Sequence, residues 1–224
     1  MKKMQVEDVK GKLGVLVIGV GGAVATTFIA GTMLVRRGLG IPVGSITQLA
    51  TIRLGKREEN RFPKIKDVVP LAGLNDIVFG GWDLFEENAY EAARHAEVLT
   101  GEDLDKVKDE LQAIRPMKAV FDRDFVKRLH GTWVKEAPTK WDLKEAIRRD
   151  IQAFKAKNGL DRVVCIWCGS TEVFTPISAV HESLPALQKA MKENSPEIAP
   201  SMIYAYAAIE EGIPYINGAP NLTV

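Results

Sequence analysis

The stretch LGVLVIGVGGAVATTF at 13–28 places a glycine cluster between an apolar run and a series of small, hydroxylated and apolar residues. A strand, a turn and a helix in that order can hold the phosphates of a dinucleotide. Gly19 permits the tight exit from the strand, and Gly21 and Gly22 let backbone approach a pyrophosphate. The first amides of the helix, at Ala23 and Val24, offer donors and the positive end of a dipole. Thr26 and Thr27 could add hydroxyl contacts. Spacing alone leaves an ordinary turn open, because Val24 stands where G-x-G-x-x-G requires its third glycine.

Other reactive residues are sparse. Cys165 and Cys168 form a C-x-x-C in VVCIWCGS, but that motif lowers a thiol pKa at a helix N-terminus, and this stretch reads as a strand. Two buried, reduced thiols on opposite strand faces are expected. His95, His130 and His181 are scattered and read as surface or structural residues. His181-Glu182 lacks the second histidine of a zinc-protease helix. Neither a nucleophile elbow nor a Walker loop is present, and no metal site is expected. The pair Arg148-Arg149 reads as a solvated helix face.

These residues must be positioned by regular elements. Apolar runs predict strands at 13–18, 43–47, 76–79, 162–167 and 214–216, and helical periodicity covers 23–36, 86–99, 141–157, 183–192 and 201–211. Strands without alternation, separated by helices, mark a parallel sheet covered on both sides. The fold class is α/β, a Rossmann-like doubly wound parallel sheet. Segments 53–72 and 115–140 read as irregular connections. The predicted second strand, VGSITQL, offers Ser45, Thr47 and Gln48 but no acid for a ribose hydroxyl.

A chain of 224 residues with 46% apolar and 26% charged content can bury a substantial core. Its formal charge of +1 argues against a dedicated nucleic-acid binder. No apolar run reaches the length of a membrane span, and the charged N-terminus has no apolar signal region, so a cytoplasmic protein is expected.

Three further blocks extend the reading: FGGWDLFEENAYEAARHAEVL (79–99), IRRDIQAFKAKNGLDRVVCIWCGSTE (147–172) and PEIAPSMIYAYAAIEEGIPYINGAP (196–220). Together with the glycine loop, and in the same order, they resemble the myo-inositol-1-phosphate synthase (inositol-3-phosphate synthase) family over nearly the whole chain. The resemblance implies NAD as cofactor and conversion of D-glucose 6-phosphate to 1L-myo-inositol 1-phosphate. That reaction runs by oxidation at C5, enolisation at C6, aldol closure onto C1 and reduction by the same cofactor. It places Gly21, Gly22, Ala23 and Val24 on the phosphate loop, where many eukaryotic-like members carry two asparagines in place of the last two. It also implies cofactor contacts from Asp83, from Cys168, Gly169, Ser170 and Thr171 on the nicotinamide side, and from Gly218 and Ala219 after the last strand. The segment 118–134 departs too far from the family's cofactor loop to transfer residues.

The resemblance places the family's catalytic lysines and acids beyond Val224, in and after a second α+β domain that also builds a homotetramer. Lys140 and Lys155 do not match them, so no catalytic residue is assigned within 1–224. The expectation is an incomplete NAD-binding domain over 1–224, without the second domain and the C-terminal return segment, and inactive alone. The alternatives are an NAD(P)-dependent dehydrogenase domain and a non-catalytic NAD-binding module. The expected partners are the sugar phosphate and further copies of the enzyme, with neither nucleic acid nor membrane.

Overall fold

Leu13–Ile18 (β1) is an unbroken apolar run because both faces of the strand are covered. Ile77–Asp83 (β2) pairs with it on one side and Arg162–Trp167 (β4) on the other, both parallel. Met117–Lys118 (β3) lies beyond β2 and Tyr215–Asn217 (β5) beyond β4, giving the order β3-β2-β1-β4-β5. These elements belong to a computed structural model that describes residues 10–219. Val224, the boundary beyond which the resemblance sets the catalytic lysines, lies outside the described residues. Ile18 is in register with both Trp82 and Trp167, so three strands end together at one edge. The chain leaves β1 toward β2 on one side, and β4 takes the other. This arrangement opens a crevice at the carboxyl ends of the strands.

Alternation along β1 divides the core. Leu16 and Ile18 join Trp82, Trp167, Ile147, Ile151, Ile203 and Tyr204 on one face. That face is covered by Lys140–Asn158 (α6), Leu184–Lys192 (α7) and Pro200–Glu210 (α8). Val17 points the other way, to Ile29, Leu104 and Leu111. There Ala23–Arg36 (α1), Ala89–Ala96 (α3), Gly101–Asp105 (α4) and Lys108–Gln112 (α5) form the cover.

The strand expected at 43–47 is not formed. A turn and the single-turn helix Ile46–Leu49 (α2) occupy the stretch, with Val43 79% and Ile46 72% exposed. Without a sheet face to enter, its apolar residues remain on the surface. The true second strand comes only after a 37–76 excursion, which Arg36 closes by donating to the carbonyls of Leu74 (2.7 Å) and Ile77 (2.6 Å). The strand expected at 76–79 runs on through Gly80 and Gly81 to Asp83. The acid found wanting after strand two is therefore Asp83 itself, at the end of the real second strand.

The helix expected at 86–99 is shorter. Asn88 caps it by accepting from the amides of Tyr90 and Glu91, and Glu97 ends it in the left-handed conformation. Segment 115–140 contains the two residues of β3, too few for any periodicity. Arg149 is exposed as expected, but Arg148 is not simply a solvated residue. It bonds Glu211 at 2.8 Å, while the fully buried Lys144 reaches Glu210 at 2.7 Å, together joining α6 to α8. Cys165 is buried in β4, whereas Cys168 lies just past the strand and is half-buried, which corrects the expectation of two buried thiols. Among the described residues, no helix is long and apolar enough to cross a membrane.

The close approach of β1 and β2 gives a direct test. A Cβ on Gly81 would be driven into the carbonyl oxygen of Val17, a backbone atom that cannot swing away. Gly81→Ala is expected to cost about 3 kcal/mol or more, read from urea denaturation.

Candidate functional site

The turn after β1 is built from backbone. Gly19 adopts φ +84°, and a Cβ there would meet the Cα of Gly169 at 2.9 Å. The amides of Gly19 and Val20 donate to the carbonyl of Trp82 at 2.8 and 3.2 Å, and that of Cys168 donates to Ile18 at 2.9 Å. The loops following β1, β2 and β4 are thereby locked together at the crevice. Gly22 is the N-cap of α1 and makes no side-chain cap, and the first turn of α1 carries no acidic residue. The first amides of a 14-residue helix are left for an external acceptor, which suits a phosphate.

Asp83 organises the other half of the site. One carboxylate oxygen accepts from the amide of Gly21 at 2.8 Å, and the other from Leu84 at 2.7 Å and Phe85 at 3.3 Å. Burial raises its pKa, while the three backbone donors and the charge of Glu87 act in opposite directions. The oxygen bonded to Gly21 accepts only that one bond and retains acceptor capacity, so the carboxylate can hold a ribose hydroxyl while still bonded to the loop.

A cavity of about 230 Å³ opens at this edge. Gly19, Gly21, Gly22, Asp83, Cys168, Gly169 and Ser170 all contribute to it, so the structure gathers most of the expected residues in one place. Ala23 lines an adjoining cleft of about 390 Å³ that shares Gly21, Asp83 and Phe85 with the cavity. Other expected residues are placed elsewhere. Val24 is 66% exposed on α1, outside both spaces. Thr26 is buried and its hydroxyl donates to the Gly22 carbonyl at 2.9 Å, and Thr27 donates to Ala23 at 2.6 Å, so neither hydroxyl faces the cavity. Thr171 is exposed beyond the lining, and Gly218 and Ala219 follow β5 without lining it. Gly218 is held near the same edge by donating to the Trp167 carbonyl at 3.0 Å.

The apolar wall escaped the sequence reading. Phe85, Phe121, Val126 and Leu129 line the cavity, the last three from the segment that departs from the family pattern. Apolar side chains in an irregular stretch give no periodic signal. Glu172, from the loop after β4, also lines it, buried against the start of α8, where it accepts from the amide of Ser201 at 3.0 Å and its hydroxyl at 2.5 Å. A carboxylate at a helix N-terminus is favourably placed, but burial still pushes the Glu172 pKa up. Burial likewise raises the Cys168 thiol and pushes Cys165 up to about 12, the opposite direction from the lowered thiol of a redox C-x-x-C.

A doubly wound parallel sheet, an uncapped helix behind a glycine turn and an acid ending strand two define a dinucleotide-binding domain of the Rossmann type. Comparison gives the family. Residues 13–224 match the model of the NAD-binding domain described as myo-inositol-1-phosphate synthase, and the chain belongs to that family. It is 59% identical to inositol-3-phosphate synthase 1 of Bacteroides thetaiotaomicron, over 99% of this chain and 51% of that protein. The Saccharomyces cerevisiae inositol-3-phosphate synthase is 31% identical, over 95% of this chain and 44% of that one. A crystal structure of inositol-3-phosphate synthase from Caenorhabditis elegans superposes with a TM-score of 0.88 at 30% identity. It covers 96% of this chain and 45% of the other. The chain thus spans about half the length of the curated relatives it matches, and the domain it carries binds NAD.

Asp83→Asn turns one carboxylate oxygen into a donor facing a backbone N–H. Affinity for NAD is expected to fall at least about tenfold, measured by equilibrium dialysis. The raised values of Asp83 and Glu172 mean that the folded state holds these protons more tightly than the unfolded chain. Their contribution to stability is present at low pH and lost as pH rises through the raised values. Glu172→Gln should make that decline shallower above the ordinary 4.5, at a cost of about 1 kcal/mol for one lost Ser201 bond. Urea midpoints across a pH series check both effects.

Proposed function

We propose that this chain supplies the NAD-binding part of an enzyme converting D-glucose 6-phosphate into 1L-myo-inositol 1-phosphate. The observation that carries the reading is the uncapped α1 N-terminus tied through Gly21 to Asp83, in a chain of this family. The amides of Ala23 and Val24 at the start of α1 receive the pyrophosphate, Gly19, Gly21 and Gly22 shape the turn that lets it approach, and Asp83 receives the ribose. Cys168, Gly169, Ser170 and Thr171 form the nicotinamide side, with Gly218 and Ala219 near the same edge. Thr26 stabilises the helix from inside instead of touching cofactor. When bound, NAD supplies a hydride acceptor that later returns the hydride to the sugar.

The sugar phosphate and the developing enolate require cations and acid–base groups. Among the described residues, no lysine or arginine lines the cavity. Lys140 is committed to the carbonyls of Ser195 at 2.9 Å and Ile198 at 2.8 Å. In this reading 1–224 forms a single cofactor domain, and the groups that clamp the substrate come from a companion domain. The same reading places the full-length enzyme in the cytoplasm as a homotetramer, without nucleic-acid or membrane partners.

The test uses carbon-13-labelled glucose 6-phosphate with NAD, followed by NMR. The 224-residue chain should bind NAD yet form no inositol phosphate. A protein extended to the relatives' length should form it without net NADH. Turnover by the 224-residue chain would contradict the division of labour, and accumulation of NADH by the longer protein would point to a conventional dehydrogenase.

A further inference from the structure

The outer cleft carries a second carboxylate that neither the loop motif nor the family resemblance assigns. Glu87 lines it together with Asp83, and its charge acts on Asp83. His95 lies on the same wall, with Nδ1 2.9 Å from a Glu87 oxygen, and holds that carboxylate in the lining. Among the described residues, no lysine or arginine lines this cleft. In Rossmann-type domains the acid ending strand two meets the adenosine ribose, and an arginine close by accommodates the extra phosphate of NADP. Here the residues after Asp83 are Leu84, Phe85, Glu86 and Glu87, so the position that would need positive charge carries negative charge.

We propose that Glu87 is a specificity-determining residue of the cofactor site. With Asp83 it makes the ribose end accept a dinucleotide with a free 2′-hydroxyl and reject one with a 2′-phosphate. The inference rests on the NAD reading above. Discrimination here works by repulsion: a phosphate entering the cleft meets two carboxylates and no fixed cation.

Equilibrium dialysis of the 224-residue chain against NAD and NADP, at low and high salt, tests this. The wild type should bind NAD about 100-fold more tightly than NADP, with the ratio shrinking as salt screens the half-buried Glu87. Glu87→Gln should reduce the ratio to about tenfold, and Glu87→Arg to about threefold or less. Glu86→Gln removes the same charge from an exposed residue outside the cleft and should leave the ratio within about twofold. Equal wild-type affinities for NAD and NADP would overturn the inference while leaving the NAD reading intact. So would a ratio that Glu87→Gln leaves at the wild-type value. Binding of neither nucleotide would overturn the NAD reading and this inference with it. The wild-type ratio and its salt dependence carry the test even if a variant fails to fold.

Discussion

The bond from the Gly21 amide to the Asp83 carboxylate, 2.8 Å long, is the interaction on which the site depends. It joins the turn after β1 to the end of β2, two places separated by 62 residues of sequence. A carboxylate buried here is costly, and three backbone donors offset part of that cost. The same bond fixes the loop amides that face the crevice and aims the remaining acceptor capacity of Asp83 into it. The glycines follow from this arrangement. A Cβ on Gly21 would stand 3.1 Å from the Asp83 carboxylate, and one on Gly19 would strike the loop after β4.

Behind the site, the sheet and its two layers of helices hold the three loops in register. Trp82 and Trp167 both meet the ring of Tyr204 edge-on, and the Tyr204 hydroxyl accepts from the amide of Val120 at 2.8 Å. That contact carries the position of α8 to the cavity wall at Val120 and Phe121. Glu172 adds a second tie, from the loop after β4 to the start of α8. The result is a cavity lined by backbone and two carboxylates, Asp83 and Glu172, with an apolar wall and no lysine or arginine among its described lining residues. That chemistry suits holding a dinucleotide.

What could be read from the sequence follows from what each segment buries. Leu13–Ile18, Ala23–Arg36 and Arg162–Trp167 were legible because their apolar patterns match the surfaces they cover. The stretch 43–47 misled because Val43 and Ile46 are apolar yet exposed, and composition does not record whether a partner face exists. That error hid the acid of strand two, since the real strand comes after a long excursion and continues through two glycines that resemble a stop signal. Gly80 and Gly81 are required there by the ring of Phe154 and the carbonyl of Val17. At the crevice, the mechanism of the glycine loop suggested a phosphate role but its spacing left an ordinary turn open, and that loop, Asp83 and 168–171 were all singled out through the family resemblance. Phe121, Val126 and Leu129 gave no signal, because their role comes only from the way an irregular segment folds over the edge.

The most direct measurement is an NMR titration of the isotope-labelled chain with NAD, following backbone amides. The account predicts the largest shifts at Gly21, Gly22, Ala23 and Val24, with accompanying changes at Asp83 and at Cys168 to Ser170. Saturable shifts confined to other surfaces, with these amides unmoved, would contradict it.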